Sequence, residues 1–260
     1  MIESARTLLF VPGSRPDRFA KAAAAGADGV VLDLEDAVAP PDKAAARAHV
    51  VAWLSEGNTA VVRVNAVGTR WHADDVAAVR DLAAVVMLPK AERVSDLDGL
   101  PAVLPLIETA RGIAAAGVLC GVSTVVRPAF GSIDLAAELG VDPNSRTALL
   151  HARSALVLAA AAAGCAPPMD GVTTALDDAD AVRRDTEHAV ELGFTGKLCV
   201  HPRQIAPVHD ALRPSEDELR WARAVLAASS GDAVAVDGQL VDRPVLLRAE
   251  RLLARGRQVP

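Results

Sequence analysis

Eight short runs of strand-forming residues recur along this chain, and amphipathic helical stretches fill most of the gaps between them. The runs are Thr7 to Val11, Gly29 to Leu34, Ala60 to Asn65, Val85 to Pro89, Ala102 to Ile107, Thr124 to Phe130, Met169 to Thr173 and Lys197 to Val200. Helical patterns cover Pro16 to Ala25, Pro41 to Leu54, a stretch beginning near Trp71, Arg111 to Leu119, Arg146 to Ala163 and Ala179 to Leu192. Strand–helix alternation of this kind is the pattern of βα units around a parallel sheet. Roughly eight such units within 260 residues predict an α/β protein built as a (β/α)8 TIM barrel. An open doubly wound sheet is the alternative that the same alternation allows.

The tail breaks the period. Ser215-x-x-Glu218 reads as a capping box opening a helix to Ala228. Ala233 to Asp242 alternates around Asp237-Gly238 and reads as a hairpin, and Pro244 to Arg255 reads as a last helix. The expected division is a catalytic barrel over residues 1–212 and a helix–hairpin–helix extension over 213–260 that serves as a lid or subunit contact. Composition fits one large globular core: 51% of residues are hydrophobic, much of that alanine, and only 3% are aromatic. A net charge of −6 gives no general attraction to nucleic acid or an anionic membrane, so attraction for an anionic ligand has to be local. The opening residues show no signal-peptide pattern, and the alanine-rich run Ala155 to Ala163 is too short to span a bilayer. Cys120, Cys165 and Cys199 are few and far apart, which suits reduced thiols in the cytoplasm.

Barrel enzymes carry their chemistry on the loops that follow the strands. Polar residues at those positions are Arg15 after the first strand, Glu35 and Asp36 after the second, and Arg63 and Asn65 in the third. Lys90, Glu108, Asp134 and His201 follow the fourth, fifth, sixth and eighth. Glu108 and Asp134 each stand just past an apolar run, where two carboxylates at neighbouring strand ends can share one hard divalent cation with water and a small oxyacid. Each also has a plainer reading: Glu108 as the cap of the next helix, Asp134 as a first-turn acid favoured by the helix dipole. Glu35 and Asp36 fit a catalytic role, or the segment Asp33-Leu-Glu35-Asp36 holds a structural network with Lys90 or Arg63. Arg63, buried in a strand, requires an anionic partner, either a substrate oxygen or Glu35. The turn at Pro12-Gly13, with Arg15, Arg18 and Lys21, fits a phosphate-bearing ligand as well as it fits a solvated basic face. His201 reads as a turn residue, and the other histidines lack ligand spacing.

The ordered set of segments is similar to the citrate lyase β-subunit-like family within the HpcH/HpaI aldolases. It comprises Phe10-Val-Pro-Gly-Ser-Arg15, Asp33-Leu-Glu-Asp-Ala-Val38, Arg63-Val-Asn65, Met87-Leu-Pro-Lys90, Ile107-Glu-Thr-Ala-Arg-Gly112, Phe130-Gly-Ser-Ile-Asp134, Gly193 to Pro202 and Asp237-Gly-Gln-Leu-Val-Asp242. The resemblance implies a TIM barrel holding Mg²⁺ through Glu108 and Asp134, with Mn²⁺ acceptable to the same oxygen ligands. It implies that Arg63 contacts the substrate carboxylate or thioester enolate, and that Phe10 and Lys21 help hold coenzyme A. It further implies that Asp242 is the acid/base, supplied by a neighbouring subunit of a homotrimer or dimer of trimers. The activity implied is Mg²⁺-dependent cleavage or formation of a C–C bond in a carboxylated 3-hydroxyacyl-CoA. Other readings of the same barrel are a free 2-keto acid aldolase, an acyl-CoA thioesterase and a carrier-dependent subunit of a larger lyase. Thr174 departs from the aromatic residue that relatives often carry there, which leaves the acyl pocket open.

Overall fold

A computed structural model describes residues 2–228, 234–236 and 239–257. Eight parallel strands close into a barrel in chain order, β1 pairing with β2 and so on round to β8, which pairs back to β1. They are β1 (Thr7–Pro12), β2 (Gly29–Asp33), β3 (Val61–Arg63), β4 (Val85–Leu88), β5 (Val103–Ile107), β6 (Ala129–Phe130), β7 (Met169–Asp170) and β8 (Gly196–Cys199). The closed ring decides against an open sheet. Outside it lie α1 (Phe19–Ala23), α2 (Lys43–Ser55), α3 (His72–Val79), α4 (Ala110–Cys120), α5 (Ser132–Leu139), α6 (Arg146–Ala163), α7 (Ala179–Leu192) and α8 (Ile205–Leu212). The alternation is not perfectly regular. Between β4 and β5 there is only a single 3-10 turn, Val94–Leu97, and two helices follow β6.

Side chains alternate along a strand, so every second residue of each strand points into the barrel. Leu8, Val31, Val61, Val85, Met87, Leu104, Leu106, Ala129, Met169 and Leu198 form one buried cluster there. The barrel interior is thus a packed core of branched and unbranched aliphatics, with no channel. One step further along the same rows come Phe10, Asp33, Arg63, Glu108, Gly131, Gly171 and Val200. The rows that build the core therefore deliver the polar residues of the upper rim.

The lower rim is tied by polar contacts of its own. Arg127 is fully buried and donates to the carbonyls of Ala5 (2.7 Å) and Pro167 (2.9 Å) and to the Thr195 hydroxyl (2.8 Å). Asp28 accepts from the backbone N–H groups of Arg6 (2.7 Å) and Thr7 (2.9 Å) and lies 3.2 Å from His209 Nε2. Burial alone would raise the Asp28 carboxyl, but the bonds from His209, Arg6 and Thr7 outweigh it and hold the group well below the usual carboxylate range. A carboxyl depressed in the folded state adds stability above its unfolded pKa, about 3.9, and loses it as pH falls toward the folded value. Asp28→Asn is therefore expected to cost about 2 kcal/mol at pH 7. In urea melts that difference from wild type should shrink below about pH 4.

Backbone contacts divide the chain into two compact units, Met1–His209 and Asp210–Pro260. The second contains α9 (Glu216–Ala228), the antiparallel pair β9 (Val234–Val236) and β10 (Gln239–Val241), and α10 (Arg243–Arg257). Ser215 and Glu218 cap α9 reciprocally, the Ser215 N–H donating to the Glu218 carboxylate (2.8 Å) and the Glu218 N–H to the Ser215 hydroxyl (3.2 Å). Ala222, Val225, Val241, Ala249 and Leu252 make a small core of its own. The turn expected at Asp237-Gly238 lies outside the described residues. Among the described residues no helix is long and apolar enough to cross a membrane.

Candidate active site at the carboxyl ends of the strands

The upper rim holds a half-open cavity of about 170 Å³. Its polar lining is Asp33, Arg63, Glu108, Ser132 and Asp134, and its apolar lining includes Phe10, Leu106, Phe130, Ile133, Val172, Leu198 and Val200.

Asp33 and Arg63 end adjacent strands in direct register. The guanidinium grips Asp33 with two parallel bonds, Nε to Oδ1 (2.7 Å) and Nη2 to Oδ2 (2.6 Å), and stacks 4.8 Å over the Phe10 ring. Its Nη1 lies 3.0 Å from Glu35 Oε2. Both protein carboxylates thus answer the question of what offsets the charge of Arg63, and Asp33 is the stronger partner. Burial works against the guanidinium's charge, but Asp33 and Glu35 more than compensate and keep it protonated. Asp33 also accepts from the N–H groups of Glu35 (2.9 Å) and Ala37 (3.1 Å), which sets the course of the chain beyond β2. Lys43, buried on α2, completes that loop by donating to the carbonyls of Leu34 (2.7 Å) and Glu35 (2.6 Å) and to Asn65 Oδ1 (2.7 Å).

Glu35 is buried, and burial raises its carboxyl despite Arg63 and Lys90. Oε1 accepts from Lys90 Nζ at 2.8 Å. Oε2 is close to Arg63 yet receives no hydrogen bond of good geometry. That oxygen is buried, and neither Glu35 nor Lys90 is among the residues lining the cavity. Asp36 does not line it either: its side chain is 62% exposed and 3.9 Å from Lys90.

Glu108 is 2% exposed and is not a helix cap, because Thr109 takes that role, its hydroxyl accepting the Gly112 N–H at 3.0 Å. Instead Glu108 Oε1 accepts the backbone N–H of Lys90 at 3.0 Å. Burial, then the nearby Asp134 and Glu35, push its carboxyl up to about 8. Asp134 stands in the first turn of α5 and is within 3.7 Å of Lys90 Nζ. Gly131 makes this crowding possible: a Cβ there would sit 2.3 Å from Glu108 Cβ and 2.4 Å from its Oε2. Two facing carboxylates, one buried and disfavoured as an anion, are chemically suited to share a hard cation. Among the described residues no cluster of three or more His, Cys, Asp or Glu is placed to hold an ion, so the remaining positions would fall to water and ligand oxygens.

Of the other expected residues of the barrel unit, Arg15, Lys21, His201 and Thr174 do not line the cavity. Arg15 is exposed and bound to Asp17, with Nε to Oδ1 at 2.9 Å and Nη2 to Oδ2 at 2.8 Å. Lys21 is exposed on α1, and neither residue lines the cavity. His201 accepts the Arg203 N–H through Nδ1 (3.2 Å) and caps a turn. Thr174 is exposed and is not part of the lining. Asp242 is exposed at the start of α10, where Oδ1 accepts the Val245 N–H at 3.3 Å.

The closed parallel barrel thus carries a carboxylate pair and an ion-paired arginine at its upper rim, and the family its sequence matches is of aldolase and lyase type. The chain belongs to the HpcH/HpaI aldolase/citrate lyase family, whose model matches residues 6–105 and 99–202. It is 42% identical over 258 residues to the citrate lyase subunit beta-like protein of Mycobacterium tuberculosis, covering 95% of this chain and 94% of that protein. It is 31% identical over 271 residues to a (3S)-malyl-CoA thioesterase of Cereibacter sphaeroides, covering 98% and 95% respectively. Among solved structures it superposes on CitE from M. tuberculosis in complex with magnesium, acetoacetate and coenzyme A. There the TM-score is 0.87 and the identity 40%, over 98% of this chain and all of that one.

Proposed function

We propose that this protein is a Mg²⁺-dependent lyase that cleaves or forms the C–C bond of a carboxylated 3-hydroxyacyl-CoA, giving acetyl-CoA and a keto acid. The observation that carries this reading is that Glu108, which is buried, and Asp134 line one cavity, where a cation would offset two neighbouring carboxylates. Glu108 and Asp134 are the residues to hold it. The related CitE structure contains magnesium and coenzyme A, which fits the same assignment. Bound there, Mg²⁺ supplies Lewis acidity toward the substrate's hydroxyl and carboxylate oxygens.

The chain's own groups then divide the work. Glu35, with its carboxyl raised by burial and one oxygen lacking a hydrogen bond, takes the proton of the substrate hydroxyl. The C–C bond breaks, its electrons pass into the thioester as an enolate, and a keto acid departs. Arg63, fixed by Asp33, presents its charge to the enolate oxygen at no cost of reorganisation. Asp242, supplied by a neighbouring subunit of a homotrimer or dimer of trimers, protonates the enolate carbon and releases acetyl-CoA. Its exposure and its single long capping bond support that role. Asp36 orients water at the rim. Phe10 walls the thioester end, and Arg15 and Lys21 take the coenzyme A phosphates from the surface beyond β1. The extension over residues 213–260 is the lid and subunit contact.

The malyl-CoA thioesterase relative favours one second reading, hydrolysis of the thioester without C–C cleavage. Product analysis separates the two. Malyl-, citramalyl- and 3-hydroxy-3-methylglutaryl-CoA would each be incubated with the protein, and the products resolved by liquid chromatography. The lyase yields acetyl-CoA and a keto acid in equal amounts, and Asp242→Asn loses it by about 100-fold or more, as for removal of a general acid. Free coenzyme A with an intact hydroxy acid would replace the lyase by the thioesterase.

A further inference from the structure

Lys90 is, among the described residues, the one non-glycine residue in the left-handed region, with φ 51°. A side chain carrying a Cβ adopts that conformation at a cost, so something holds it there. Two sets of contacts do. The backbone N–H is turned onto Glu108 Oε1 (3.0 Å), and the ammonium reaches across to Glu35 Oε1 (2.8 Å), with Asp134 Oδ1 at 3.7 Å and Asp36 Oδ2 at 3.9 Å. One residue thereby touches Glu108 through its backbone and approaches Asp134 through its side chain.

Charge explains why a cation belongs there. Asp33, Glu35, Glu108 and Asp134 gather at the rim against Arg63 and Lys90, and Arg63 is taken by Asp33 and Glu35. Lys90 is the positive charge left to face Asp134 among these residues. A divalent ion held by Glu108 and Asp134 would have to share that space with an ammonium group less than 4 Å from one ligand.

We propose that Lys90 is a positioning residue that serves as a built-in counter-cation. Its ammonium, bound to Glu35 and 3.7 Å from Asp134, opposes a divalent cation held by Glu108 and Asp134, so that the affinity for Mg²⁺ is set by Lys90 as well as by the two carboxylates. This inference rests on Glu108 and Asp134 being the metal ligands.

Calorimetric titration of Mg²⁺ into the purified protein tests it without reference to turnover. Lys90→Met is expected to bind Mg²⁺ about tenfold more tightly or better, because the competing charge is gone. Lys90→Arg should stay within about threefold of wild type. Should Lys90→Met fail to fold, Lys90→Gly carries the same test, since glycine accepts the left-handed backbone without strain. Unchanged or weaker binding in the uncharged variants, or equal tightening in Lys90→Arg, would overturn the proposal. Glu108→Gln is titrated beside them. If it binds Mg²⁺ as wild type does, the metal assignment itself has failed. If it loses binding while Lys90→Met is unchanged, only the role of Lys90 has.

Discussion

Gly131→Ala is expected to lower kcat/KM by 100-fold or more and to weaken Mg²⁺ binding, although it adds a single methyl group. The added Cβ would lie 2.3 Å from Glu108 Cβ and 2.4 Å from Oε2. The first of these atoms is fixed close to the β5 backbone and cannot swing away. Either Glu108 leaves its rotamer or the ends of β5 and β6 part. An ångström of misplacement at a reacting centre is enough for a loss of that size. Overpacking should also cost about 1–3 kcal/mol of stability. Steady-state kinetics and a thermal melt on the same sample check both effects, and wild-type activity in the variant would contradict the site as drawn. The glycine is required here for space; its φ lies outside the left-handed region.

The largest stability effect is expected at Asp170, behind the rim and away from the cavity lining. Asp170 is fully buried at the end of β7 and accepts from Arg153 Nε (2.9 Å) and from Lys197 Nζ (3.0 Å), its partner in register on β8. Burial opposes the anion, but the two cations outweigh it and hold the carboxyl below its ordinary value. Lys197 also donates to the Gly171 carbonyl (2.8 Å). Asp170→Ala takes this carboxylate from two buried cations, leaving Lys197 only the Asp185 carboxylate at 3.3 Å, which should cost about 3 kcal/mol at neutral pH. For a chain of this size that is a fall of roughly 10 °C in Tm. The network bears on the site because Gly171 packs against Ser132, the residue that opens α5 and leads to Asp134. A Cβ on Gly171 would come within 2.6 Å of Ser132 Oγ. Thermal denaturation of Asp170→Ala beside Asp170→Asn, which keeps the shape and one acceptor, separates the charge from the packing. A Tm for Asp170→Ala within a degree or two of wild type would show that the triad is dispensable.

The barrel was legible because apolar runs and helical stretches alternate so regularly. The helices Arg146–Ala163 and Ala179–Leu192 end where a glycine in the left-handed conformation, Gly164 or Gly193, follows the last turn. The sixth strand is shorter than its apolar run predicts. Of Thr124 to Phe130 only Ala129 and Phe130 pair as a strand, since Val125 makes an isolated bridge to Val103 and Pro128 has no N–H to donate. Glu108 and Asp134 stood out because each follows an apolar run. The sequence places Asp33-Leu-Glu35-Asp36 within reach of Arg63 but does not single out Asp33 over Glu35, because the partner is thirty residues away in sequence. The signal was the inward row: Val31 and Asp33 share a face, as do Val61 and Arg63. Lys43 and the Arg153–Asp170–Lys197 triad lie beyond any local pattern. A lysine on an amphipathic helix reads as solvated until the fold brings buried carbonyls to it.

C–C cleavage in the proposed reaction depends on Glu108 and Asp134 holding a divalent cation. The most direct measurement is acetyl-CoA release from a carboxylated 3-hydroxyacyl-CoA by wild type and Glu108→Gln, each after EDTA treatment and again after Mg²⁺ is restored. Wild type is predicted to lose activity with EDTA and regain it with Mg²⁺, while Glu108→Gln stays at least about 100-fold below the Mg²⁺-restored wild type in both conditions. Acetyl-CoA release that persists in EDTA, or that Glu108→Gln retains, would contradict it.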